Sequence, residues 1–274
     1  MTELAITEKQ PKVFWLDAII RNNHSLGSAG IDVLTRQENH GRRVIVTGED
    51  NIPDGAVILA SNHFVRMKDT KRALGPYKME DLLSSVGAIT RAVRNKRGVD
   101  ATVIWTPTSV PRPEAKLKHK ATGREKLKWL SEMGPSMGVS NATRSIFLSL
   151  YKNALDVMPI PASRDSMRQF YEEIQKRLAV GEALGFFPEG DVSHELKKGK
   201  FGVARIAITS QVPVIPISQY DRHGELIVSI GKPLTPPKDI AHKGVFLNEI
   251  MQAISRGLPE ELRGEYKELG DTPS

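Results

Sequence analysis

Residues 165–190 read DSMRQFYEEIQKRLAVGEALGFFPEG, and they carry a helix, a turn and a buried strand in immediate succession. Met167, Phe170, Tyr171, Ile174 and Leu178 recur at i, i+3, i+4, i+7 and i+11, which places one apolar stripe along a helix. Ser163 or Asp165 can cap its start and Gly181 can end it. Ala183 to Phe187 is continuously apolar and too short for a helix, as expected of a strand buried on both faces. Leu155 to Ile160 has strand character ahead of the helix. Strand, helix, strand is a right-handed crossover between parallel strands. Open parallel sheets bind ligands beyond the carboxyl ends of their strands, so Pro188-Glu189-Gly190 is the loop to watch.

The rest of the chain repeats this grammar. Ala56 to Ala60 is another buried-strand candidate, and it runs into Ser61-Asn62-His63, which puts a histidine at a comparable strand exit. Val44 to Val46, Ala101 to Trp105, Val212 to Ile217 and Leu226 to Ile230 read as further strands, with Pro213 and Pro216 fitting near strand ends or at a sheet edge. Helical spacing covers Glu80 to Val93, Lys126 to Tyr151, Val203 to Ser210 and Phe246 to Leu258, with shorter helices at Val13 to Ile20 and Ile31 to Arg36. The expected fold is α/β, a mostly parallel central sheet flanked by helices, with an N-terminal helical segment. The expected organisation is that segment over 1–40, an α/β domain over 41–260 with a basic insertion at about 106–140, and a tail over 261–274. His63, Arg164 and Glu189 would then line one edge of the sheet.

Composition narrows the function classes. With 274 residues, 39% apolar and 26% charged, the chain can bury a sizeable core and is a folded globular protein. It has no cysteine, which rules out disulfides, thiol nucleophiles and thiolate metal sites. The seven histidines show no metal-ligand spacing, so no metal is expected. No apolar run reaches the roughly 18 residues of a membrane span and no secretion signal is evident, so the expected location is cytoplasmic. A net charge of +7 favours polyanionic partners. Aromatic residues do not interleave with the basic ones, so nucleic acid is not expected. A non-catalytic polyanion-binding or nucleic-acid-binding protein stays open as the alternative class.

Four blocks in order resemble the glycerolipid acyltransferase family, whose members acylate glycerol phosphate and lysophosphatidic acid. Ser61-Asn62-His63 resembles the first motif and Ile160-Pro161-Ala162-Ser163-Arg164 the second. Phe187-Pro188-Glu189-Gly190 resembles the third and Val212-Pro213-Val214-Ile215-Pro216 the fourth. Lys197-Lys198-Gly199 and Ala204 to Ala207 fill the interval before the fourth. The likeness covers roughly residues 40 to 260 and leaves about 106 to 140 unaccounted for.

The resemblance implies a fatty acyl group moved from an acyl thioester, on coenzyme A or a carrier protein, to a hydroxyl of a phosphorylated glycerol or lysophospholipid. No other cofactor is implied. His63 would be the general base, a role its ordinary pKa of about 6.5 suits. The family places an aspartate after four residues, where this chain has Lys68; Asp69 has the closer spacing and Asp81 the closer local context, and both remain candidates. Arg164 would grip the acceptor phosphate, with Glu189 and Gly190 holding the acceptor. After Gly190 the family often has Thr-Arg-Ser, whereas this chain has Asp191-Val192-Ser193, so Arg66, Lys197 and Lys198 are the candidates to supply the lost charge, beside Ser193. That change also opens the reading of a different acceptor. Lipid substrates imply peripheral contact with an anionic membrane, with Val13, Phe14, Trp15, Leu16 and Ile20 as candidate anchors.

Overall fold

The computed structural model describes residues 43–63, 79–98, 101–106, 160, 164–190 and 193–267, with the side chains of 79–84 and 164–166 outside the description. Among the described residues six strands form one sheet: β1 (Val44–Thr47), β2 (Val57–Ser61), β3 (Val103–Thr106), β4 (Ala183–Phe186), β5 (Val214–Arg222) and β6 (Glu225–Ile230). Their spatial order is β1-β6-β5-β2-β4-β3. Every neighbouring pair is parallel except β5 with β6. That exception is a tight hairpin whose two-residue loop, His223-Gly224, takes φ values of 54° and 90° and so matches the right-handed twist of the strands. The expected fold class is the observed one.

Among the described residues four helices cover the two faces: α1 (Met79–Arg97), α2 (Arg164–Ala179), α3 (Gly202–Ser210) and α4 (Lys243–Arg256). The period of two along the strands sorts the core. Val57 and Leu59 of β2 point toward α1, packing with Val86, Ile89 and Val93. Ile58 and Ala60 point to the other face, where Phe170, Ile174 and Leu178 of α2 and Phe246, Ile250 and Ile254 of α4 close over them. The stripe seen in the sequence is thus the buried face of α2, which Gly181 ends at φ 86° with its N–H on the Leu178 carbonyl. Pro216 lies inside the sheet, paired with Ala60, at the end of the β5–β6 ladder, where its carbonyl accepts the Gly231 N–H at 2.8 Å and only its own missing N–H is forgone. Leu262 and Tyr266 join the same core from two short 3₁₀ turns, Glu260–Leu262 and Gly264–Tyr266.

The helices expected over 13–20, 31–36 and 126–151 and the basic insertion beyond residue 106 lie outside the described residues, as does the strand expected over 155–160 apart from Ile160, which is in no strand. Among the described residues, no helix is long and apolar enough to cross a membrane.

Candidate active site

Strand register brings the two reactive loops together. Ala60 of β2 and Phe186 of β4 are paired, and His63 and Glu189 each lie three residues beyond that pair. Glu189 Oε2 accepts the backbone N–H of His63 at 3.0 Å and stands 3.4 Å from Nδ1 of its imidazole. Glu189 Oε1 accepts the backbone N–H of Lys197 at 3.0 Å. Both side chains are buried, with His63 8% and Glu189 3% exposed. A carboxylate withdrawn this far from water persists because two N–H donors and an imidazole replace the water it lost. Gly190, at φ 70°, makes the turn that aims it, its N–H bonded to the Phe187 carbonyl at 3.1 Å.

The histidine is held on its other sides as well. Asn62 acts as an extra strand residue: its Oδ1 accepts the Gln219 N–H at 2.8 Å and its Nδ2 donates to the Gln219 carbonyl at 2.9 Å. Gln219 Nε2 donates to Ser61 Oγ at 2.7 Å. The imidazole stacks on Phe187 with centroids 4.4 Å apart, and Phe187 stacks on Trp105 at 5.4 Å. Trp105 is itself fixed by donating Nε1–H to Thr90 Oγ1 at 3.1 Å, and it lies over Gly185, where any larger side chain would collide with its ring.

A third layer holds the segment that holds Glu189. Leu196 donates its N–H to the Leu262 carbonyl at 2.8 Å and accepts from the Glu265 N–H at 3.3 Å, which pins residues 196–200 against the C-terminal turns. Lys200 N–H bonds the Pro188 carbonyl at 2.8 Å, and its side chain lies along Gly190, where an added Cβ would sit 2.5 Å from Nζ. Tyr266 is buried beside this segment; that burial pushes its phenol above the ordinary value, the negative charges of Glu265 and Glu189 add to the rise, and a hydrogen bond with the Gly199 backbone opposes it.

Comparison with known proteins bears on the fold and on part of the chain. The family model described as Acyltransferase matches residues 112–219, which takes in the second, third and fourth blocks and Glu189 but not His63. Among solved structures, the 1-acyl-sn-glycerophosphate (LPA) acyltransferase PlsC from Thermotoga maritima is similar in fold, with a TM-score of 0.51 at 16% identity over 92% of this chain and 88% of that one. The family match takes in less than half of the chain, and the structural likeness is one of fold. No curated protein matches the chain in sequence.

Of the site residues that an acyltransferase reading singles out in the sequence, the structure brings His63 and Glu189 into contact. Arg164 opens α2, the helix that leads back into β4, so its backbone lies toward the edge from which Glu189 emerges; its side chain is outside the described residues. Asp81 is in the first turn of α1 with its side chain likewise outside, and Arg66 and Asp69 lie outside altogether. Ser193 is half-buried at the start of the 193–200 segment, and Lys198 is exposed with its backbone N–H on Glu265 Oε1 at 3.3 Å. Glu189 therefore has a place the sequence reading did not give it: among the described residues it is the carboxylate on the imidazole. The reading also missed Gln219, Lys200 and the Trp105–Phe187 stack. Only Lys200 carried a signal, a third lysine in the Lys197-Lys198-Gly199 block. Among the described residues no group of acids and histidines is arranged to hold a metal ion.

The arrangement has a definite chemical capacity. An ionised carboxylate only accepts, so the contact at Nδ1 is satisfied by the tautomer with its proton on Nδ1. Nε2 of that tautomer carries the lone pair of a base. The carboxylate also stabilises the imidazolium formed when that base takes a proton.

Proposed function

We propose that the protein transfers a fatty acyl group from an acyl thioester to a hydroxyl of a phosphorylated glycerol or lysophospholipid, with His63 as general base. The observation that carries this reading is the Glu189 carboxylate bridging the backbone N–H and the Nδ1 of a buried histidine at the carboxyl edge of a parallel sheet. In the reaction, Nε2 of His63 takes the acceptor's hydroxyl proton as its oxygen attacks the thioester carbonyl. The tetrahedral intermediate collapses with cleavage of the carbon–sulfur bond, and the departing thiolate recovers the proton from the imidazolium. The products are an ester and a free thiol, so no cofactor beyond the thioester co-substrate is consumed. Coenzyme A and acyl carrier protein are the two donors to compare.

Arg164, Lys198 and Arg66 are the cations proposed to meet the acceptor phosphate, with Ser193 and Gly190 beside them. Asp69 and Asp81 keep the place that the family pattern gives them as further partners of His63; changing each to Asn alongside Glu189→Gln ranks the three. Asp191-Val192-Ser193 in place of Thr-Arg-Ser favours testing unphosphorylated acceptors as well. This reading places the protein in phospholipid biosynthesis, on the cytoplasmic side and in peripheral contact with the membrane.

The test is thiol release from acyl-coenzyme A and from acyl carrier protein across glycerol 3-phosphate, lysophosphatidic acid and monoacylglycerol. His63→Ala is expected to lower the rate by about 10² to 10⁴. Turnover in His63→Ala equal to that of the parent would end the proposal.

A further inference from the structure

Gln219 stands in one row with His63 and Glu189. Ser61 of β2 pairs with Ile217 of β5, and two residues beyond that pair come His63 and Gln219, while Glu189 flanks His63 on the β4 side. Gln219 is 1% exposed. Its Nε2 donates to Ser61 Oγ at 2.7 Å, and the Ser61 hydroxyl donates in turn to the Asn62 carbonyl at 3.1 Å. Nε2 also lies 3.4 Å from that carbonyl. The peptide bond to which the carbonyl belongs is the one that enters His63, and its N–H, on the opposite side of a trans peptide plane, donates to Glu189 Oε2 at 3.0 Å. Gln219, Ser61, the peptide and Glu189 thus form one chain of hydrogen bonds, all donated in the same direction, so that each polarises the next.

The chain is kept at a cost. Gln219 Oε1 is buried and, among the described residues, has no hydrogen-bond partner. Turning the amide over would set Oε1 against the Asn62 carbonyl oxygen, where two acceptors face each other. A buried acceptor left unbonded destabilises a fold, and an apolar side chain of similar shape removes that penalty. Stability is therefore a poor reason for glutamine here. What the amide adds is a donor aimed at the peptide that carries the imidazole.

We propose that Gln219 is a positioning residue for the general base, acting through Ser61 and the peptide bond between Asn62 and His63. Glu189 holds that peptide by its N–H and the imidazole at Nδ1, and Gln219 holds the same peptide by its carbonyl. With both ends fixed the plane does not rock, and Nε2 of His63 keeps one direction toward the reacting hydroxyl. Being buried, Gln219 does this without contacting a substrate. The inference rests on the acyltransferase reading for its effect on turnover.

Gln219→Met keeps the length of the side chain and loses the donor. It is expected to match or exceed the parent's urea midpoint, to leave KM for donor and acceptor unchanged, and to lower kcat for thiol release about 10-fold to 10²-fold, the scale on which a misplaced catalytic group is felt. Ser61→Ala breaks the same chain, so the double variant is expected to be no slower than the slower single one. The spectroscopic readout is the backbone amide proton of His63 in a proton–nitrogen correlation spectrum. It should move upfield in both variants, while the amide of Lys197, on the other oxygen of Glu189, stays in place. Parent kcat in Gln219→Met overturns the proposal, and so do losses that multiply in the double variant or amide shifts shared equally by His63 and Lys197. The amide readout needs no turnover, so an inactive parent that shows the His63 shift fails the enzyme reading alone.

Discussion

Glu189 does two jobs with one carboxylate, and they separate by mutation. Gln keeps the shape but turns one acceptor oxygen into an amide nitrogen, which must then face the N–H of His63 or of Lys197. A hydrogen bond to a charged group is worth about 1.5–3 kcal/mol, so Glu189→Gln is expected to lose about that much unfolding free energy in a urea titration. The imidazolium loses its counter-charge as well, so kcat should fall even where the folded protein is fully populated. A variant that loses stability but keeps the parent kcat would reduce Glu189 to a structural part. Asn62 differs in kind: its amide continues the β2 ladder onto Gln219 and touches the chemistry only by fixing where His63 starts.

At the scale of elements, the C-terminal turns reach the site through a chain of backbone contacts. Gly264 takes φ 51° and packs its Cα so close to the Leu196 carbonyl that an added Cβ would overlap the oxygen. Leu196 precedes Lys197, whose N–H holds Glu189. Gly264→Ala therefore strains the turn and pushes on the carboxylate's anchor; a forced left-handed residue alone costs about 1–3 kcal/mol. The expected result is a lower melting temperature together with reduced kcat, although residue 264 is remote in sequence from both His63 and Glu189. Unchanged kcat at a temperature where the variant is folded would show that the clamp serves stability alone. Burial of Leu262 and Tyr266 explains why these turns act on the site: they are part of the core under α4.

For the whole molecule, Tyr266 ties that clamp to stability at alkaline pH. Its folded pKa lies above the ordinary 10.0, chiefly because burial disfavours the phenolate. A group raised in the folded state contributes stability that is complete below its unfolded value and is lost as pH rises through its folded one. Above about pH 10 the parent should therefore lose stability more steeply than Tyr266→Phe, which has nothing to ionise. At neutral pH the order reverses, since the variant lacks the hydrogen bond with Gly199, worth about 0.5–1.5 kcal/mol. Urea midpoints for both proteins across that range check it, and parallel pH profiles would show that Tyr266 is not coupled to folding.

The local rules of the chain made the strands and helices legible. Phe170, Ile174 and Leu178 share a stripe because 3.6 residues make a turn, and Ala183 to Phe186 reads as a strand because a strand buried on both faces has no polar position. With the strand-helix-strand order, these fixed the α/β class and the edge where His63 and Glu189 emerge. The Glu189 contact was not legible, because the family pattern pointed along the chain from His63 to Asp69 by spacing and to Asp81 by local context, both outside the described side chains, whereas the contact among the described residues runs across 126 residues to Glu189. That contact depends on the register of β2 against β4, and no local propensity encodes the register of two strands so far apart. Nor does any pattern mark Phe201 and Val245 as exposed: Phe201 is the residue before α3 and Val245 lies in the first turn of α4, and only the packing of the helices decides that both are left in water.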